Sequence, residues 1–163
     1  MKNKIVLIVL SIFVSSCASI YLAPNGKSIA NKHERIAIVI PKVSIKARKK
    51  DNGEAIKESQ RTSAFEFQQE IYKYLLKRKT QGNMQVAIQD VDETNAILER
   101  SNIKNLTTKE MCDLLGVDAI MTSNFGLEKP MSTGGAIALA VLTGFGASTN
   151  EVVVTLSIKN CDD

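Results

Sequence analysis

Apolar positions change their period several times along the chain. Ile36-Ala37-Ile38-Val39-Ile40 is a continuous apolar run stopped by Pro41. An unbroken run of that length ended by a breaker predicts a buried central strand. Residues 42–53 then turn polar and basic, with Lys42, Lys46, Arg48, Lys49 and Lys50 before the turn signal Asp51-Asn52-Gly53. They predict a solvated loop, and the same cations would suit an anionic surface such as phospholipid or lipopolysaccharide. From Glu54 to Lys79 the period becomes helical. Ile56, Ser63, Phe67, Ile71, Tyr74 and Leu75 recur at helical spacing with no Gly or Pro between. Lys77, Arg78 and Lys79 crowd the last turn, where cations complement the helix dipole, and Gln81-Gly82-Asn83 stops it.

The remaining elements are shorter. Met84 to Ile88 predicts a strand. Ala96, Ile97 and Leu98 lie in a helix that Asp90 or Asp92 would cap. Thr107 followed three residues on by Glu110 has the capping-box pattern. Met111, Leu114 and Leu115 form that helix's apolar side, and Gly116 is placed to end it. Val117 to Leu127 predicts a strand. In Glu151 to Lys159, Val152, Val154, Leu156 and Ile158 alternate with Val153, Thr155, Ser157 and Lys159, the mark of an antiparallel strand with one face inward. The order is strand, long helix, strand, two short helices, strand, long connection, strand. It predicts the α/β (α+β) class: a single mixed sheet of about four strands with a long helix and two short helices packed on it.

The first residues read differently. Lys2 and Lys4 precede Ile5–Val14, where nine of ten residues are apolar, and Ser15-Ser16-Cys17 follows. Charge, apolar run and small residues in that order predict a secretory signal, and the run is shorter than the ~20 residues a membrane span needs. Val14-Ser15-Ser16-Cys17 resembles the lipobox of bacterial lipoproteins. The resemblance implies cleavage between Ser16 and Cys17, a diacylglycerol on the Cys17 sulfur and acylation of the freed amine. Two or more acyl chains anchor a protein stably without spanning the bilayer. With Ala18 and Ser19 after the Cys and no Asp, enteric-type sorting implies the outer membrane. The expected organisation is a signal peptide at 1–16, a lipidated Cys and tether at 17–33 and a periplasmic domain at 34–163. Pro24-Asn25-Gly26 is turn chemistry within the tether. Sixteen flexible residues reach about 20–24 Å root-mean-square. His33 ends the tether, where a solvated role is expected.

Composition refines this picture. Of 163 residues, 44% are hydrophobic and 23% charged, which excludes a wholly disordered chain and a fibrous repeat. Aromatics are 5% and Trp is absent, which argues against base-stacking or sugar-stacking binders. Removing residues 1–16 takes away Lys2 and Lys4 and no acid, lowering the formal charge from +4 to +2, so nothing supports a nucleic-acid partner. A single His leaves little scope for His-based metal sites or triads. No phosphate-cradling loop is present, no cofactor is expected and the chain does not read as an enzyme. Beyond Cys17 there are two cysteines. Cys112 falls on a short helix and Cys161 ends a strand. An oxidising periplasm permits a Cys112–Cys161 disulfide, and two buried free thiols are the alternative.

Three stretches together resemble a known family. They are the Arg35–Pro41 strand leading to a long helix, the Met84–Ile88 strand leading into Asp92-Glu93-Thr94-Asn95-Ala96-Ile97-Leu98, and Leu114-Leu115-Gly116-Val117-Asp118-Ala119-Ile120-Met121-Thr122-Ser123. The last is similar to a stretch of curli-secretion-type (CsgG) lipoproteins, whose fold also occurs in the N-terminal domain of TolB and in the LpoB lipoprotein that activates peptidoglycan synthases. With the lipobox, the resemblance covers most of residues 1–160. It implies a non-catalytic structural or interaction module of the cell envelope, assembling with itself or with an envelope protein. A subunit of a curli-type secretion channel is a second reading, and an envelope enzyme or small-ligand binder a third. The channel proteins carry two amphipathic hairpins, whereas residues 130–149 here do not alternate. Gly134 to Ser148 is uncharged and apolar, and Ala136, Ala140, Gly144 and Ser148 fall four apart. On a helix they would form a smooth ridge open to close backbone approach, so this is the candidate interaction segment. A short helix or loop packed on the core is the plainer reading of the same stretch, and dipping into the membrane interface is a third.

Overall fold

The computed structural model describes residues 24, 32–46, 52–101, 105–127 and 152–162. They form β1 (Arg35–Ile38), β2 (Lys42–Ile45), α1 (Gly53–Thr80), β3 (Ala87–Ile88), α2 (Val91–Ser101), α3 (Thr108–Leu115), β4 (Ala119–Leu127) and β5 (Val152–Asn160). The class is the expected mixed α/β one, with five strands in one sheet rather than four. The extra strand is β2. Expecting a solvated loop from residue 42 onward was an error for Lys42–Ile45. Val43 and Ile45 supply the apolar face of a strand too short to show a period, and the flanking lysines mask it. The strand expected at Met84–Ile88 narrows to Ala87–Ile88.

β4 organises the sheet. On one flank β5 pairs with it antiparallel along its whole length, from Ala119↔Asn160 to Leu127↔Val152. On the other flank β1 runs parallel to its first half and β2 parallel to its second. β3 pairs parallel with the far side of β1. Between β1 and β2 the register slips. Ile38 lies opposite Met121 and Lys42 opposite Asn124, so one strand advances four residues while β4 advances three. An extra residue reverses which side chains face which way. Before the slip, Ile36 and Ile38 face the principal core; after it, Val43 and Ile45 do. Pro41, which has no N–H to donate, sits in the slip.

α1 covers this face. Its 28 residues run about 42 Å at ~1.5 Å per residue. It starts at Asn52, whose side chain accepts the Glu54 N–H at 3.0 Å. Ile56, Phe67 and Ile71 pack on Ile36, Ile38, Met121, Phe125 and Leu127, and the Phe67 ring stacks on Phe125 at 4.2 Å between centroids. The opposite face carries a smaller cluster of Ala37, Ile120, Cys112 and Leu115, covered by α2 and α3. Of the two candidate caps for α2, Asp90 acts: its carboxylate accepts the N–H groups of Asp92 and Glu93. The Thr107–Glu110 capping box is present at α3. Thr107's N–H, then its hydroxyl, hold the Glu110 carboxyl below the usual range. Gly116 adopts φ 65°, the left-handed conformation that ends α3.

Phe67 fills the contact between α1 and β4 with no exposure. Phe67→Ala is expected to lower unfolding free energy by about 3–5 kcal/mol, read from urea midpoints. Leu76→Ala, at a position 36% exposed near the end of the same helix, should change it by less than about 1 kcal/mol.

Candidate functional site

Three segments distant in sequence converge where the chain enters the domain. Gly116 turns the chain out of α3, and Asp118 arrives at the start of β4. Its carboxylate accepts the Glu34 N–H at 2.7 Å and the Arg35 N–H at 2.9 Å, fixing the first residues of β1. Its main chain ties the neighbours together: the Asp118 N–H donates to the Arg35 carbonyl, and its own carbonyl accepts the Cys161 N–H. His33 Nδ1 lies 3.5 Å from Asp118 Oδ2. The expectation that His33 is a solvated tether residue is therefore corrected. Its side chain is 10% exposed, and its Nε2 is buried with no hydrogen-bond partner among the described residues. Burial pushes the Asp118 carboxyl up, but the N–H groups of Glu34 and Arg35 and the charge of His33 outweigh it, and the net direction is down. Beside this clamp Cys112 and Cys161 are joined, with sulfurs 2.01 Å apart and Cα atoms 5.7 Å apart. The bridge ties α3 to the end of β5.

A second polar group lies at the carboxyl end of β1. The connection through α1 leads to one flank of β1 and the connection through α2 and α3 to the other. In open parallel sheets such a switch point forms a crevice that holds ligands. Here side chains fill it. β3 is too short to reach the Ile38 carbonyl, so Gln68 Nε2 donates to it at 2.7 Å. Gln68 and Asn95 exchange amide hydrogen bonds of 3.0 and 2.8 Å. Gln89 donates to the Leu115 carbonyl, left open by the end of α3, and accepts from Thr94. Gln68 and Thr94 have no exposure, and Gln89 has 2%. Each satisfies backbone or amide groups that would be costly to bury unpaired. Nearby, burial and then the charge and hydrogen bond of Asp90 push the Tyr72 hydroxyl above its ordinary pKa.

Of the residues singled out in the sequence, the structure brings together Cys112 and Cys161. Ser16, Cys17, Ala136, Ala140, Gly144 and Ser148 lie outside the described residues, as do Arg48, Lys49 and Lys50 of the basic run. Among the described residues no group of three or more His, Cys, Asp or Glu is placed to hold a metal ion, and no helix is long and apolar enough to cross a membrane. A shallow depression of about 320 Å³ lies over the β2–β4–β5 face, lined by residues including Lys42, Ser44, Asn124 and Thr155. Sequence reasoning missed the roles of Gln68, Gln89, Asn95 and His33. Gln68 did leave a signal, being polar beside Phe67 on the inward stripe of α1. No family model, curated protein or solved structure matches the chain.

Two expectations test the entry clamp. Asp118→Asn should destabilise the domain by about 1 kcal/mol at neutral pH, given partial exposure of the carboxylate. A carboxyl with a depressed folded-state pKa contributes fully above the ordinary Asp range and loses its contribution as pH falls through the folded value. The gap between parent and variant should therefore narrow as urea titrations move to acid pH. The Cys112–Cys161 bridge closes a loop of sequence separation 49. Cys112→Ala/Cys161→Ala should cost about 2–4 kcal/mol, read from the same titrations without reductant.

Proposed function

We propose that the chain is an outer-membrane-anchored periplasmic lipoprotein whose domain is a non-catalytic structural and interaction module of the cell envelope. The observation that carries the reading is Val14-Ser15-Ser16-Cys17 after a basic start and a short apolar run. Lipidation chemistry needs a thiol nucleophile preceded by small side chains, and this order supplies both. Two features of the domain support the rest. A Cys112–Cys161 disulfide suits an oxidising compartment. The switch-point crevice is occupied by the protein's own amides, so the polar residues gathered there spend their hydrogen bonds on the fold. Asp118 and His33 clamp the point where the tether enters, which transmits the position of the anchor to a rigid strand.

Metabolic labelling tests the anchor. Cells expressing the full chain should incorporate radiolabelled palmitate into it, and Cys17→Ser should abolish the label and release the protein from the membrane fraction. A parent chain that takes up no label would overturn the compartment. Chemical crosslinking in native membranes tests the module: discrete crosslinked species are expected, and a chain that remains single under all crosslinkers counts against it.

A further inference from the structure

β5 is an edge strand, and its outer edge is unusual. It is nine residues long, about 30 Å at ~3.4 Å per residue. It pairs only with β4 among the described residues. The hydrogen bond from the Cys161 N–H to the Asp118 carbonyl, with the register of the pair, sets the alternation. Odd-numbered residues of β5 spend their backbone groups on β4. Val154, Leu156 and Ile158 direct theirs to the open side. Natural edges are blunted by prolines, charges, bulges or brevity. β5 has no proline and one charged residue, Lys159. Val153 is 58% exposed and Leu156 is 42% exposed. The opposite flank is protected in the ordinary way, being broken into β2 of four residues and β3 of two.

We propose that the outer edge of β5 pairs antiparallel with β5 of a second copy about a two-fold axis at Thr155, making one sheet continuous across two chains. The strand is self-complementary in that register. Thr155 meets Thr155 of the second copy. Val154 meets Leu156 twice, on the face where Val154 already packs against the principal core. Val153 meets Ser157 on the other face. Apolar and hydroxyl cross-strand pairs of these types stabilise antiparallel sheets. The charge pattern selects the direction. Antiparallel pairing separates the two Lys159 side chains by about 27 Å, well beyond the ~8 Å screening length, whereas parallel in-register pairing would set them side by side. Among the described residues β5 is the one edge long enough for this pairing, and a two-fold pair uses it in both copies, so association closes at two chains. The inference rests on the reading of the domain as an assembly module and names its partner as a second copy.

The full chain in detergent is the material for the test. Sedimentation should give the mass of two chains, and Leu156→Lys should weaken the pair at least tenfold with an unchanged far-ultraviolet circular dichroism spectrum, since Leu156 is already 42% exposed. Under mild oxidation Thr155→Cys should crosslink to a two-chain species, while the parent chain and Glu99→Cys, on α2, should not. A parent that sediments as a single chain overturns the proposal, as does a Thr155→Cys variant that crosslinks no better than Glu99→Cys. A single-chain parent that captures a different envelope protein also overturns it, and leaves the module reading standing.

Discussion

β4 has to serve two different neighbours on one flank, and the fold depends on how the chain meets that demand. β1 and β2 follow each other in sequence along the same side of β4, and both must turn apolar side chains toward α1. Strict alternation through residues 36–45 would place Ile36 and Ile38 inward and then Val43 and Ile45 outward. The one-residue slip at 39–41 restores the inward set. It joins two short strands, neither able to bury a face alone, into one wall under a 28-residue helix. Phe67, Ile71 and Phe125 complete a core that spans both halves.

That device explains what could be read from the chain and what could not. Helix signals are local, so α1, the Thr107–Glu110 box and the Gly116 stop were legible from spacing alone. Asp118 was legible only as part of a string, Leu-Gly-Val-Asp. Its physical meaning needed the fold: Gly116 supplies the left-handed turn, and Asp118 then delivers a carboxylate to the N–H groups of residues more than eighty positions earlier. β2 was hidden because four residues cannot display a period, and because the register slip cancels the parity that would tie Val43 and Ile45 to Ile36 and Ile38. Gln68 was hidden for another reason. Its partner is the Ile38 carbonyl, orphaned because β3 ends early, and nothing local to α1 records where β3 ends. His33 belongs with these, since the carboxylate 3.5 Å from its Nδ1 comes from Asp118, far along the chain.

The two ends of the sheet have different chemistry. At one end lie the clamp of Asp118 on Glu34 and Arg35, His33, and the Cys112–Cys161 bridge. At the other, Leu127 pairs with Val152, and the connection carrying Ala136, Ala140, Gly144 and Ser148 departs between them. β4 separates these ends by about 30 Å. The first end is held by a charged hydrogen-bonded clamp and a covalent crosslink.

Self-pairing of β5 turns that polarity into an orientation. In an antiparallel pair the two-fold axis stands perpendicular to the sheet, so both copies of α1 lie on the same face. The two tether junctions then fall at opposite ends of the joined strands. Under the anchoring proposed above, both chains reach one bilayer when the axis stands roughly normal to the membrane, with the sheet lying along its surface. A second consequence follows from the same symmetry. The end of one copy that carries Leu127 and Val152 comes beside the partner's Asp118 end. Within that proposal, the direction in which β5 pairs decides which ends of the two sheets lie side by side.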